Sequence, residues 1–306
     1  MRIWLDTDIG SDVDDALALA YILRHPDLEL VGISTVFGDI PLRGQIAEAL
    51  LAQADAAPVP LLPGMGVPLS ERRQGIMFGH EGLGVIENPE PALRVREETG
   101  AERRIDELAT MLAETEPDVL VAIGPMTNVG ALAAKGVDLP PLAVMGGRIE
   151  SGSIPGMTDE ISEWNWHCDP LAVKRVLATE PKVPPLIVPA EVTFQTRLTE
   201  ADLDRLAEGD ALNRTLAVLS RQWLTTQREQ FGTEEPSVAL HDPLTVALLV
   251  EPDLCTYRTR RIELDDRAFA TDAEPGSAAP ELRVAATVDA EAVRQNIMDV
   301  LTGGQP

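Results

Sequence analysis

The chain has 306 residues, room for one large α/β domain or two small ones, and its 44% apolar content suits a globular protein. With 50 Asp and Glu against 25 Lys and Arg, the formal net charge is -25. Such a surface repels nucleic acid and anionic membranes, so neither is expected as a partner. No apolar run approaches a membrane span and no leader-like segment opens the chain, while two distant cysteines, Cys168 and Cys255, make neither a disulfide framework nor a zinc set. A cytoplasmic location is expected.

In chain order, Arg2–Leu5 reads as a short buried strand. From Asp14 a helix follows, with Ala16, Leu17, Leu19, Ala20 and Leu23 facing inward. Apolar and β-branched runs then predict strands at Leu28–Val36, Val59–Leu62, Val119–Ile123, Leu142–Met145 and Leu186–Val188. Helical patterns at Leu42–Gln53, Arg103–Glu114, Thr127–Lys135 and Pro170–Ala178 alternate with them. This rhythm predicts an α/β fold, a single-domain open, mainly parallel sheet with helices on both faces. After about residue 199 the pattern turns helical (Glu200–Ala207, Ala211–Gln230, Pro243–Val250), an insertion or cap near the active site. Strand-like stretches return at Arg260–Leu264 and Leu282–Val288 before a closing helix at Glu291–Leu301. One domain is expected over residues 1–306. Two segments are candidate lids, the glycine-rich Gly75–Gly84 and the polar Arg221–Ser237.

The turn between the first strand and helix holds Asp6, Asp8, Asp12, Asp14 and Asp15. Any single one is explained by helix capping or by the helix dipole. Five exceed what a cap needs, and their repulsion calls for a hard cation held by oxygen ligands, calcium or magnesium. Three further segments fall at strand ends or helix starts: AIGPMTN (Ala122–Asn128), EWNWHCDP (Glu163–Pro170) and ALHDP (Ala239–Pro243). Taken singly they read as turn chemistry, helix caps at Asp169 and Asp242, core tryptophans and an ordinary histidine. Together they converge on one crevice at the strand C-termini.

These segments, in this order, resemble the inosine–uridine-preferring nucleoside hydrolase family over nearly the whole chain. DTDIGSDVDDALAL is similar to its aspartate signature, VFGD (Val36–Asp39) to its VxGN, and LLPGMGVPL to its segment ending in KPL. IGPMTN, VMGG, EWNWHCDP and HDP follow. The resemblance implies a hydrolase that cleaves the N-glycosidic bond of ribonucleosides to free base and ribose with Ca2+. The ion would be held by Asp8, Asp15, Asp242 and the Ile123 carbonyl, and Asp14 would be the base that activates a calcium-bound water. Glu163 and Asn165 would bind ribose hydroxyls, His241 would assist the departing base, and His80 would lie nearby in a lid. A small-molecule nucleoside is the implied partner, and a homodimer or homotetramer the implied assembly.

The chain departs from the family pattern in four places. The aspartate signature is two residues longer, with Asp12 extra, and anchoring on the intact DDALAL assigns the base and metal roles to Asp14 and Asp15. Asp39 stands where the family has a ribose-binding Asn, and Met157 falls near an Asn position that holds the 5′-hydroxyl. Trp223, Gln227 and Arg228 occupy a stretch where some members carry tyrosines. Base preference is therefore left open. Two rival readings remain: a non-catalytic or altered-substrate ribosyl-binding protein on the same fold, and a haloacid-dehalogenase-type Mg2+ phosphatase. The phosphatase would use Asp6 or Asp8 after the strand, but needs a downstream lysine that Lys135, Lys174 and Lys182 are poorly set to supply.

Overall fold

A computed structural model describes residues 1–303 except 72 and 151. Eight strands form one sheet: β1 (Arg2–Thr7), β2 (Glu29–Thr35), β3 (Leu61–Pro63), β4 (Val119–Ala122), β5 (Leu142–Met145), β6 (Leu186–Val188), β7 (Cys255–Arg260) and β8 (Leu282–Val288). Their spatial order is β7-β8-β6-β5-β4-β1-β2-β3. All neighbours run parallel except the edge pair β7 and β8.

Side-chain alternation explains why both faces are covered. Ile3, Leu5, Val121, Ala143 and Met145 enter one core, while Trp4, Leu120, Ala122, Leu142 and Val144 enter the other. Helices Asp14–Arg24, Ile40–Gln53, His241–Ala247 and Ala290–Thr302 pack on the first face; Ala101–Thr115, Thr127–Ala134 and Pro170–Leu177 pack on the second. Trp4 is fully buried and its indole N–H donates to Ser34 Oγ at 3.0 Å. Only glycine fits beside it at position 32, where a Cβ would stand 2.2 Å from the ring.

From β1 the chain winds outward through β2 and β3, then restarts at β4 on the other side of β1. The crevice beyond the C-terminal ends of β1 and β4 is thus the topological switch point, the usual ligand site of an open α/β sheet. Gly124, just past β4, lets the two strand ends approach. A Cβ there would lie 2.8 Å from the Asp8 backbone nitrogen and 2.9 Å from Asp8 Oδ1.

The helical insertion is closed at its base by an antiparallel pair, Arg197–Leu198 with Val238–Ala239. Inside it, Thr199 and Asp202 form a capping box that starts Glu200–Ala207, and Asp210 accepts from Asn213 N at 3.0 Å to start Ala211–Gln230. The expected strand Arg260–Leu264 is corrected. Its first residue ends β7, a polar edge strand whose alternation carries little apolar signal, while Ile262–Leu264 pairs with Ala270–Asp272 in a separate hairpin. The glycine-rich segment is tied down rather than open. Gly75–Ile76 pairs with Arg94–Val95, and Met77, His80 and Glu81 are buried. Both cysteines are buried free thiols, and no described helix is long and apolar enough to cross a membrane.

Candidate active site

A cleft of about 720 Å³ opens over the switch point. Its floor holds Asp8, Asp14, Asp15 and Asp242. Packing of helix Asp14–Arg24 against helix His241–Ala247 delivers Asp242 to the first turn, although 227 positions separate it from Asp15. Asp14, Asp15 and Asp242 each offer a carboxylate oxygen, all within 4.8 Å of one another. Burial, compounded by the neighbouring Asp charges, pushes Asp14, Asp15 and Asp242 well above the ordinary carboxylate range. Asp8 is also raised by burial, against the opposing pull of Arg43. A buried, oxygen-only, mutually repelling set of this kind fits a hard divalent cation, which would reverse those shifts.

Asp12 does not cap the helix. The N-cap residue is Val13, without a side-chain cap, and Asp12 instead groups with Asp14 and His241 within the same 4.8 Å limit. Asp12 is half-buried, and desolvation, with Asp15 and Asp8 adding to it, pushes its carboxyl up to about 8. Asp6 lies outside the cleft lining. It accepts from Ser34 Oγ and, at 2.7 Å, from Asn128 Nδ2, its other oxygen has no partner, and burial pushes it up to about 7. Asn128, read as turn chemistry, is therefore a brace between β1, β2 and the loop after β3, where it also accepts from Met65 N at 2.8 Å.

Glu163 and Asn165 line one wall. Glu163 N-caps the short helix Trp164–Cys168, accepting from Asn165 N at 2.7 Å and Trp166 N at 3.0 Å, and it also accepts from Gly147 N at 2.9 Å. Desolvation raises its carboxyl despite these bonds. Asn165 Nδ2 donates to Ile123 O at 2.7 Å, locking the end of β4 and leaving that carbonyl one free lone pair. Met157, Trp223 and His241 also line the cleft. His241 Nδ1 stands 2.6 Å from Thr193 Oγ1, and burial, with Arg197 nearby, lowers its pKa to about 4. The cap foreseen at Asp169 is present, with Ala172 N donating at 3.2 Å, and the same carboxylate also takes Leu69 N, Ser70 N and Thr127 Oγ1. No side-chain cap comes from Asp242, because Leu240 is the N-cap residue of its helix.

Three candidates fall outside the cleft. Asp39 is the N-cap of helix Ile40–Gln53, with Leu42 N donating at 3.2 Å and Ala92 N at 2.9 Å, so both carboxylate oxygens are spent on backbone. Asp39→Ala should therefore cost about 1 kcal/mol or more of stability and leave KM for nucleosides within about twofold, a contrast that thermal melts and steady-state kinetics will read. His80 is turned behind the first loop, with Nε2 2.7 Å from Ser11 O. Arg228 is exposed on the far side of its helix.

Sequence reasoning missed the aromatic wall. The chain has only five Phe, four Trp and two Tyr residues, yet Phe78, Trp164, Phe194, Trp223 and Phe231 all line this cleft. Phe78 and Phe231 meet edge-on at 5.1 Å between centroids, and Phe78 and Trp164 lie at 5.7 Å. No sequence pattern marks them as a set, since they stand at separated positions that only the fold brings together. Also missed was Arg43, a fully buried cation beneath the aspartate loop. The three lysines are spent on surface ion pairs with Asp106, Asp266 and Asp138, none of them near the cleft, which removes the phosphatase reading.

Fold and site define a metal-ready acidic cleft with an aromatic roof, and the comparisons agree with that class. The chain matches the family model for inosine-uridine preferring nucleoside hydrolases over residues 3–295 and belongs to that family. Its members hydrolyse the N-glycosidic bond of ribonucleosides, and this chain is an enzyme of that kind. Relatives include a probable uridine nucleosidase 2 of Arabidopsis thaliana, 30% identical over 98% of this chain and 97% of the relative. Another is the non-specific ribonucleoside hydrolase RihC of Shigella boydii, 30% identical over 84% and 82%. A plant nucleoside hydrolase superposes with a TM-score of 0.79 at 26% identity, covering 98% of each chain. A purine-preferring ribonucleoside hydrolase from Gardnerella vaginalis shares the fold, with a TM-score of 0.79 at 23% identity over 99% of this chain and 98% of that one.

Proposed function

We propose that this enzyme hydrolyses unphosphorylated ribonucleosides with a resident Ca2+ held by Asp8, Asp15, Asp242 and the Ile123 carbonyl. The observation that carries this reading is the meeting of Asp14, Asp15 and Asp242 on the floor of a nucleoside-sized cleft that Asp8 and Ile123 also line. When bound, the cation would supply charge to acidify and orient a water and to hold vicinal hydroxyls. Asp14, one of the floor carboxylates, takes the proton of the attacking water. Glu163 and Asn165 bind ribose hydroxyls, and the dense negative charge favours the oxocarbenium-like transition state. His241, kept neutral by burial, offers the departing base a hydrogen bond rather than a full proton. The aromatic wall stacks on the base, and Met157 sits among the residues that close the cleft. A homodimer or homotetramer in the cytoplasm is the matching assembly.

Charge favours nucleosides over nucleotides. Eight cleft-lining residues are acidic, and Arg197 is the one basic residue among those described. The test is free-ribose release from purine and pyrimidine nucleosides and nicotinamide riboside, alongside their 5′-monophosphates. At least one nucleoside should turn over, and its monophosphate should fall short by about 10²-fold or more in kcat/KM. Equal use of the two would overturn the electrostatic selection, and ligand binding without base release would favour a non-catalytic member. That rival is weakened here, because Asp39, one of the two departures that motivated it, is a helix cap outside the cleft.

A further inference from the structure

Arg43 and Glu81 are fully buried charged residues that take no part in the chemistry above. Arg43 turns all its bonds toward the first turn and its neighbour. It donates to Asp8 O, to Ile9 O at 3.0 Å and to Phe37 O at 2.6 Å, and Nη2 reaches Ser11 Oγ at 3.3 Å. The guanidinium also lies 3.8 Å from Asp8 Oδ2. Glu81 grips the same serine from the other side. Ser11 Oγ donates to Glu81 Oε1 at 3.0 Å, and the backbone N–H groups of Phe78 and Gly79 donate to Glu81 at 2.6 and 2.8 Å. One hydroxyl thus joins the loop carrying the carboxylates to the segment carrying Phe78 of the aromatic wall.

We propose that Arg43, Ser11 and Glu81 form a buried clasp that holds the cation-binding loop and the base-stacking wall in register, Arg43 positioning Asp8 and Glu81 positioning Phe78. This rests on the calcium-dependent hydrolase reading. The extended loop needs such an anchor, since its carbonyls at Asp8 and Ile9 would otherwise be buried without donors. Phe37, held by the same guanidinium, has a φ of 62°, a conformation costly for a bulky side chain unless its surroundings enforce it. A planar fork can serve several carbonyls at once, whereas a lysine ammonium is a single compact charge. The two buried charges also face each other across Ser11, so neither is left uncompensated.

The test is calorimetric Ca2+ titration of the whole protein, paired with kcat and KM for a nucleoside it hydrolyses, in Arg43→Lys, Glu81→Gln and Ser11→Ala. Arg43→Lys should weaken Ca2+ binding about tenfold or more, as loss of a residue supporting a metal ligand does. Glu81→Gln should raise KM about tenfold with kcat and Ca2+ affinity within about threefold, because its amide cannot accept from both Phe78 and Gly79 without turning a donor toward one of them. Ser11→Ala, which introduces no new charge, should shift both readouts, and it carries the test if Arg43→Lys does not fold. Parallel loss of both readouts in Glu81→Gln, or no change in Ser11→Ala, would overturn the clasp. Absence of Ca2+ binding by the wild type would instead overturn the calcium reading, and the KM effect of Glu81→Gln would then still judge the Phe78 end.

Discussion

Asp14→Asn is expected to lower kcat for nucleoside hydrolysis by about 10²- to 10⁴-fold, the range a positioned general base supplies. Ca2+ binding should be largely retained, since Asp14 is assigned to the water and not to the ion. The substitution is isosteric, so the amide oxygen can keep the bond that Asp14 Oδ1 accepts from Asp15 N at 3.2 Å. It also removes one negative charge from a crowded set, which eases ionisation of Asp15 and Asp242. The informative control is Asp12→Asn. Asp12 and Asp14 share the corner near His241, but only Asp14 also meets Asp15 and Asp242. Asp12→Asn should therefore cost far less activity. If Asp12→Asn were inactive and Asp14→Asn had lost its Ca2+, the roles would have to be exchanged, with Asp14 a ligand and Asp12 the base.

Removing the cation should make stability fall as pH rises. Without it, burial raises Asp6 to about 7 and Asp12 to about 8, and drives Asp14, Asp15 and Asp242 upward as well. The folded chain then binds protons that the unfolded chain has already released above its ordinary carboxylate pKa of about 4. Unfolding free energy therefore declines between about pH 4 and pH 8, and the stabilisation is complete only below the unfolded value. In chelator, the melting temperature should be several degrees lower at pH 8.5 than at pH 6. Added Ca2+ should raise it most at the higher pH, by stabilising the ionised carboxylates. The slope should shrink rather than vanish, since Asp6 lies away from the floor. Calorimetric scans with the same pH slope in chelator and in Ca2+ would sink the assignment of these carboxylates to a cation.

Much of this was legible in the residues. Strands β5 and β6 and helices Glu200–Ala207 and Ala211–Gln230 lie where the apolar patterns put them, because short fully buried strands and strongly amphipathic helices carry unmistakable periods. The convergence of ALHDP on the first turn was expected from its place at a helix start, and packing of the two helices realises it. Elsewhere the answer lay in helix phase or in distant partners. Arg228 follows Trp223 by five residues, which at about 100° per residue turns it some 140° away from the cleft, whereas Gln227, four residues on, faces it. Asp39 lies outside the cleft because it caps a helix, and a cap and a ligand look alike in sequence; its bond to Ala92 N, 53 residues on, shows only in the fold. Arg43 and Glu81 were invisible for the same reason, since their partner Ser11 lies 32 and 70 positions away.

The antiparallel pair at the base of the helical insertion brings Leu198 opposite Val238. The segment between them, carrying Trp223, Gln227 and Phe231, thus leaves the main body and returns to it at neighbouring points, while Asp8, Asp14 and Asp15 belong to the turn and helix start after β1 and Asp242 lies just beyond the pair. Such an arrangement makes the insertion a natural cassette. Descendant enzymes can lengthen, shorten or exchange it, acquiring a new taste in bases, without renegotiating the chemistry on the floor beneath.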